Sequence, residues 1–153
     1  MVKRKKLKRI PEPALERDGV RLVFSFKHLD PSHPKFRLGN CSAAYLCALL
    51  LQIKTYSEYT VEQFQNINHG DSRHWNFWRD TTEPDGFRHI SEEIQDEYAW
   101  QFAVSPKSKI TSEREWRAHG MLVDNVFYIV WLDPSHHLAP KNARNAHSTR
   151  RRS

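Results

Sequence analysis

The stretch Val126-Phe127-Tyr128-Ile129-Val130-Trp131-Leu132 runs for seven residues without a polar break, between Asp124-Asn125 and Asp133-Pro134. β-Branched and aromatic residues in such a run favour an extended strand, and a strand with no polar face has to be covered on both sides. The chain must therefore build a sheet around this segment, with packing above and below it. Asp124-Asn125 tolerates positive φ and fits a two-residue hairpin back to EWRAHGMLVD, while Asp133-Pro134 stops the strand. YAWQFAVSP supplies a third strand of the same C-terminal meander. Near the other end, VRLVFSFKHLD alternates Leu22, Phe24 and Phe26 with Val23, Ser25 and Lys27, a strand with one buried face that stops at Asp30-Pro31.

Between these strands the period changes. CSAAYLCALLLQIKTYS predicts a helix with Ala43, Leu46, Cys47, Leu50 and Leu51 on its apolar face and Asn40 or Ser42 as its cap. Thr60-Val61-Glu62-Gln63 has the capping-box pattern, so a second helix opens there, buries Val61, Phe64 and Ile67, and ends at His69-Gly70-Asp71. SRHWNFWRDTTEPDGFRHISEE is aromatic without a clear period and carries a turn at Glu83-Pro84-Asp85-Gly86, which predicts an irregular loop packed on the core. The expected fold is α+β, in the order β-α-α-β-β-β, with a twisted, mainly antiparallel sheet on a helical pair.

A chain of 153 residues, 39% hydrophobic, suits one domain, expected over 20–140. Six Lys or Arg among the first ten residues and five in KNARNAHSTRRRS mark 1–19 and 141–153 as basic arms, either solvated and flexible or used to hold a polyanion. The excess of 24 basic over 18 acidic residues gives +6, which favours an acidic partner such as RNA or DNA. Cys41 and Cys47 are six apart, off the spacing at which helical side chains meet, and form neither a disulfide framework nor a CxxC knuckle. MVKRKKLKRI lacks the apolar stretch of a signal peptide, and no segment approaches the roughly 18 apolar residues of a membrane helix. The expected setting is the cytoplasm, with no membrane partner.

LDPSH occurs twice, at Leu29 to His33 and at Leu132 to His136. It is a strand-ending turn in both places, or a device that brings histidines together where two strands end side by side. Counting back from the hairpin, Val123 faces Val126, Leu122 faces Phe127, His119 faces Val130 and Arg117 faces Leu132. Arg117 and His119 then share a face, with Asp133, His136 and His137 delivered beside them. Cleavage of RNA through its 2′-hydroxyl needs a base, an acid and cations on the phosphate. Arg117 suits the clamp, and His119 and His136 suit acid and base, with His137, Glu113 and Glu115 as alternatives. No metal or other cofactor is required.

Each of these residues also has a structural reading. Arg117 can be an exposed charge or a partner of Asp133, His119 a hydrogen-bonded strand residue, and one of the adjacent His136 and His137 a solvated side chain. A metal held by Asp30, His33, Asp133 and His136 would need the first and last strands to be neighbours, and no HExxH spacing exists. Lys107, Lys109 and Arg114 in PKSKITSERE form either a substrate-binding edge that tracks phosphates or a charged, soluble loop. Trp75, Trp78 and Trp100 serve either as base-stacking surfaces or as core.

The element order, the strand Trp116-Arg117-Ala118-His119-Gly120, the turn Asp124-Asn125, the apolar strand Val126 to Leu132 and the final Asp133-Pro134-Ser135-His136-His137 resemble the RelE-like family of bacterial toxins. The resemblance implies a small α/β domain that, in many members, cleaves messenger RNA at the ribosome and is held inactive by a cognate antitoxin. It implies basic residues, an Arg on a meander strand and a His or Tyr near the C-terminus around the scissile phosphate, positions that Arg117, His136 and His137 match here. This chain is longer than a typical member, and its aromatic loop from Trp75 to Phe87 and its basic tail are additions.

Overall fold

The computed structural model describes residues 20–67, 72–75, 80–83, 85–105 and 110–139. The expected arms at 1–19 and 141–153, together with Trp78, Lys107 and Lys109, lie outside the described residues. In chain order the elements are β1 (Val23–Ser25), a 3-10 turn (Leu38–Asn40), α1 (Ala43–Tyr56), α2 (Val61–Gln65), β2 (Ser72–His74), α3 (Glu92–Tyr98), β3 (Ala99–Ala103), α4 (Thr111–Arg114), β4 (Arg117–Val123) and β5 (Val126–Asp133). The five strands form one sheet in the order β1-β5-β4-β3-β2. β1 runs parallel to β5 and the other pairs are antiparallel, so the chain is α+β with a mixed sheet. No helix among the described residues is long and apolar enough to cross a membrane.

β2 and α4 occupy stretches expected to be irregular, and α3 begins at the end of one and runs on through 94–97 into the start of the expected strand. β2 is three residues long and exists through its pairing with β3, a tertiary contact that leaves no period in the sequence. β1 is likewise shorter than its alternating pattern, with Leu22 buried and Phe26 left exposed. The caps follow local chemistry: Ser42 accepts the Tyr45 amide at the start of α1, and Thr60 and Gln63 close a capping box on α2.

The apolar β5 is covered on both sides. One face of the sheet packs with the helices around Tyr45, Leu49, Tyr56, Phe64, Phe102 and Phe127. The opposite face packs on loop residues around Phe36, Trp75, Phe87, Met121, Trp131 and Leu138. Trp75 is therefore core, and Trp100 packs half-buried against the helical side. α1 buries Tyr45, Leu49 and Tyr56, whereas Leu50 and Leu51 of the expected face are 63% and 66% exposed. Leu and Ala surround this helix almost completely, so periodicity does not select a face; the rings of Tyr45 and Tyr56 do, because they fill the space above the sheet. The buried Tyr45 hydroxyl donates to the Arg117 carbonyl at 2.6 Å, tying α1 to the start of β4.

The β4-β5 hairpin starts as counted. Asp124 takes a φ of 53°, and Val123 faces Val126 and Leu122 faces Phe127. The ladder then shifts by one residue between His119 and Gly120: Gly120 faces Ile129, His119 faces Trp131, and Val130 is the extra residue of a β-bulge. Arg117 consequently faces Asp133, which corrects the unbroken register. Only glycine fits at the shift, because a Cβ on Gly120 would stand 1.8 Å from the Tyr128 carbonyl oxygen. Gly120→Ala is expected to cost about 3 kcal/mol in urea unfolding. Wild-type stability in that variant would contradict the close approach.

Candidate functional site

The bulge decides which side chains meet. Alternation along a strand puts residues two apart on one face, so pairing His119 with Trp131 places Asp133 on the face of His119, where the unbroken register would have turned it away. His119 Nε2 donates to Asp133 Oδ2 at 2.9 Å, and the two side chains are 0% and 1% exposed. The same oxygen accepts the Leu138 amide and Oδ1 accepts the His137 amide, each at 2.9 Å. Asp133 thus clamps the second LDPSH turn, within which His136 takes a left-handed φ of 53°. Such a conformation in a non-glycine residue costs of order 1 kcal/mol and persists only where surrounding contacts hold it.

The electrostatics follow from burial. Burial alone would raise the Asp133 carboxyl, but the His119 contact and the Leu138 and His137 amides bring it down to about 2. Burial lowers the His119 imidazole from its ordinary value against the pull of Asp133, with Arg117 and Arg73 pushing the same way as burial. His119 is therefore neutral, with its proton on Nε2 and a bare lone pair on Nδ1. His136 is lowered to about 4, by burial first and then by Arg117, His119 and Arg73. His119 Nδ1 and His136 Nε2 are both buried without a hydrogen-bond partner, as is Gln101 Oε1.

Of the residues singled out in the sequence, Arg117, His119 and His136 come together. Arg117 is half-buried and donates through Nη1 to the Arg114 and Trp116 carbonyls at 2.6 and 3.0 Å. Arg114 thus enters through its backbone, its exposed side chain lying at the end of α4. The His137 side chain is exposed, and its contribution is the amide on Asp133. Glu113 and Glu115 lie in α4 and just past it.

The first LDPSH turn does run beside the second, because β1 pairs with β5 and the Asp30 amide donates to the Val130 carbonyl. Its histidine nevertheless goes elsewhere. The His33 ring stacks on Phe36 and leans on Trp131, both at 4.7 Å, and Trp131 Nε1 donates to Asp30 at 3.1 Å. His33 lines a separate cleft of about 410 Å³ with Asp30, Lys35, Glu83 and Arg88. Among the described residues no group of three or more His, Cys, Asp or Glu side chains could hold a metal ion.

Two residues were missed in the sequence. Arg73 of β2 faces Gln101 of β3, which faces His119 of β4, so the three form one cross-strand row on the face that holds Asp133. Gln101 is 3% exposed. A polar residue inside the otherwise apolar strand Ala99-Trp100-Gln101-Phe102-Ala103 was the available signal; Arg73 carried none, because nothing announced β2. Comparison of the chain with protein-family models, curated proteins and solved structures finds no match.

The folded values of His119, His136 and Asp133 all lie below the ordinary ones, so their stabilising contributions are complete above about pH 6.5. That of His136 is lost as pH falls from 6.5 to about 4, that of His119 as pH falls below 6.5, and that of Asp133, about 2 kcal/mol, as pH falls from 3.8 to about 2. Asp133→Asn is expected to lose about 3 kcal/mol at neutral pH and to show a flatter stability profile below pH 4, read by urea melts at stepped pH. A wild-type protein that becomes more stable from pH 6 to pH 4 would contradict the neutral histidines.

Proposed function

We propose that this chain is a RelE-like, metal-independent endoribonuclease, the toxin half of a toxin-antitoxin pair that cleaves messenger RNA. The observation that carries the reading is the buried Asp133-His119 pair, whose bare Nδ1 lies in a neighbourhood with Arg117, Arg73 and the unpartnered Nε2 of His136. Arg117 and Arg73 hold the phosphate oxygens. His119 Nδ1 takes the 2′-hydroxyl proton, and Asp133 stabilises the imidazolium that results, as a buried carboxylate does for a catalytic histidine. The 2′-oxygen attacks phosphorus and the bond to the 5′-oxygen breaks. That oxygen receives its proton from His136, whose protonation the incoming phosphate favours by adding negative charge beside the ring. The products are a 2′,3′-cyclic phosphate and a 5′-hydroxyl. The partners in this reading are RNA, on or off the ribosome, and a cognate antitoxin, for which the exposed Leu50 and Leu51 of α1 offer apolar surface.

The zero exposure of His119 favours a second reading, a non-catalytic module that grips nucleic acid or protein through its basic surface while Asp133 and His119 clamp a turn. The two part in one assay. With labelled RNA in EDTA, and with translating ribosomes beside it, the nuclease reading expects cyclic-phosphate ends, reduced at least a hundredfold in Arg117→Ala and in His119→Gln. Intact RNA in both formats, with salt-dependent binding retained, leaves the module.

A further inference from the structure

Two unpartnered atoms of the site are acceptors on neighbouring strands. Gln101 and His119 face each other across β3 and β4, and Gln101 Oε1 and His119 Nδ1 are both buried without a hydrogen-bond partner. A buried acceptor left unsatisfied is unfavourable by the cost of its desolvation, and a donor brought between these two facing residues would relieve both. Both require a donor, O–H or N–H, which a bare phosphate oxygen is not. Arg117 and Arg73, whose charges act on the same histidine, donate to backbone carbonyls and carry further N–H groups suited to an anionic oxygen. A single ligand unit meets both demands when a hydroxyl stands next to a phosphate.

We infer that Gln101 is a specificity-determining residue that, with His119, reads the ribose hydroxyl beside a bound phosphate, so that the site takes ribonucleotide 3′-phosphates and rejects their deoxy counterparts. This rests on the ribonuclease reading and adds to it how the substrate is selected. One O–H is shared between Gln101 Oε1 and His119 Nδ1 as a three-centre bond, which also aims the proton at the base. Arg73 faces Gln101 from β2, and its Nη2 donates to the Ala139 carbonyl at 3.4 Å. A deoxyribose leaves both acceptors as they are in the free protein and gains only the arginine contacts.

The test uses the full-length protein, adenosine 3′-phosphate, its 2′-deoxy analogue and inorganic phosphate, with affinities from titration calorimetry and melting temperatures from the same samples. Wild type is expected to bind the ribonucleotide about tenfold more tightly than the deoxynucleotide. Gln101→Leu, which removes a buried unsatisfied acceptor at similar volume, is expected to melt no lower than wild type, to bring the two affinities within about twofold, and to leave deoxynucleotide binding unchanged. Arg117→Ala is expected to weaken all three ligands. The inference is overturned if wild type shows no preference or binds neither nucleotide, if Gln101→Leu keeps the preference, or if it only alters melting, as for a buried water alone. A Gln101-dependent preference without RNA cleavage would sink the nuclease reading and spare this one, and cleavage with no such preference would do the reverse.

Discussion

One extra residue in β5 governs the arrangement of the polar site. A strand alternates its side chains with a period of two, so inserting Val130 opposite the Gly120 junction exchanges the faces of everything beyond it. Before the bulge the hairpin pairs apolar residues; after it, Arg117, His119, Trp131 and Asp133 all stand on the loop-covered face. The His119-Asp133 hydrogen bond exists because of that change of parity. Glycine at 120 is its steric condition, since any Cβ there would meet the Tyr128 backbone.

Asp133 then couples three parts of the molecule. Its carboxylate ends β5, holds β4 through His119, and fixes the turn of Ser135 to Leu138 by two amides. These contacts keep it ionised at full burial, and they determine where His136 stands. On the other face of the sheet, the Tyr45 hydroxyl on the Arg117 carbonyl anchors the first residue of β4 to α1. Arg117 is thus held by its backbone from one side while its charge acts on the histidines from the other. Positive charge beside two neutral imidazoles, with three buried atoms lacking partners, is an arrangement suited to an anionic, hydroxyl-bearing ligand.

Much of the scaffold was legible because it follows from local chemistry. The unbroken apolar β5, the Asp124-Asn125 hairpin, the Ser42 and Thr60 caps and the α+β class each come from residues acting on near neighbours. Arg117, His119 and His136 do lie together, although the counted register is off by one beyond the bulge. Gly120 carried the bulge signal, an isolated glycine inside a strand. The buried face of α1 was illegible because Leu50 and Leu51 compete with Tyr45 and Leu49, and only the shape of the sheet decides between them. β2, and with it Arg73, depends wholly on pairing with β3. The duplicated LDPSH was a true sign of adjacent strand ends and a false sign of gathered histidines, since Phe36 and Trp131 hold His33 apart from His136.

The most direct test of the parity argument is the protonation state of His119, read from long-range proton-nitrogen correlations of its imidazole across pH. The expected result is a proton on Nε2, a bare Nδ1, and a ring that stays neutral below pH 6.5 because burial holds it so. A proton on Nδ1 at neutral pH would show that His119 does not face Asp133 and would remove the base from the proposed site, and titration near 6.5 would show that burial does not outweigh the pull of Asp133.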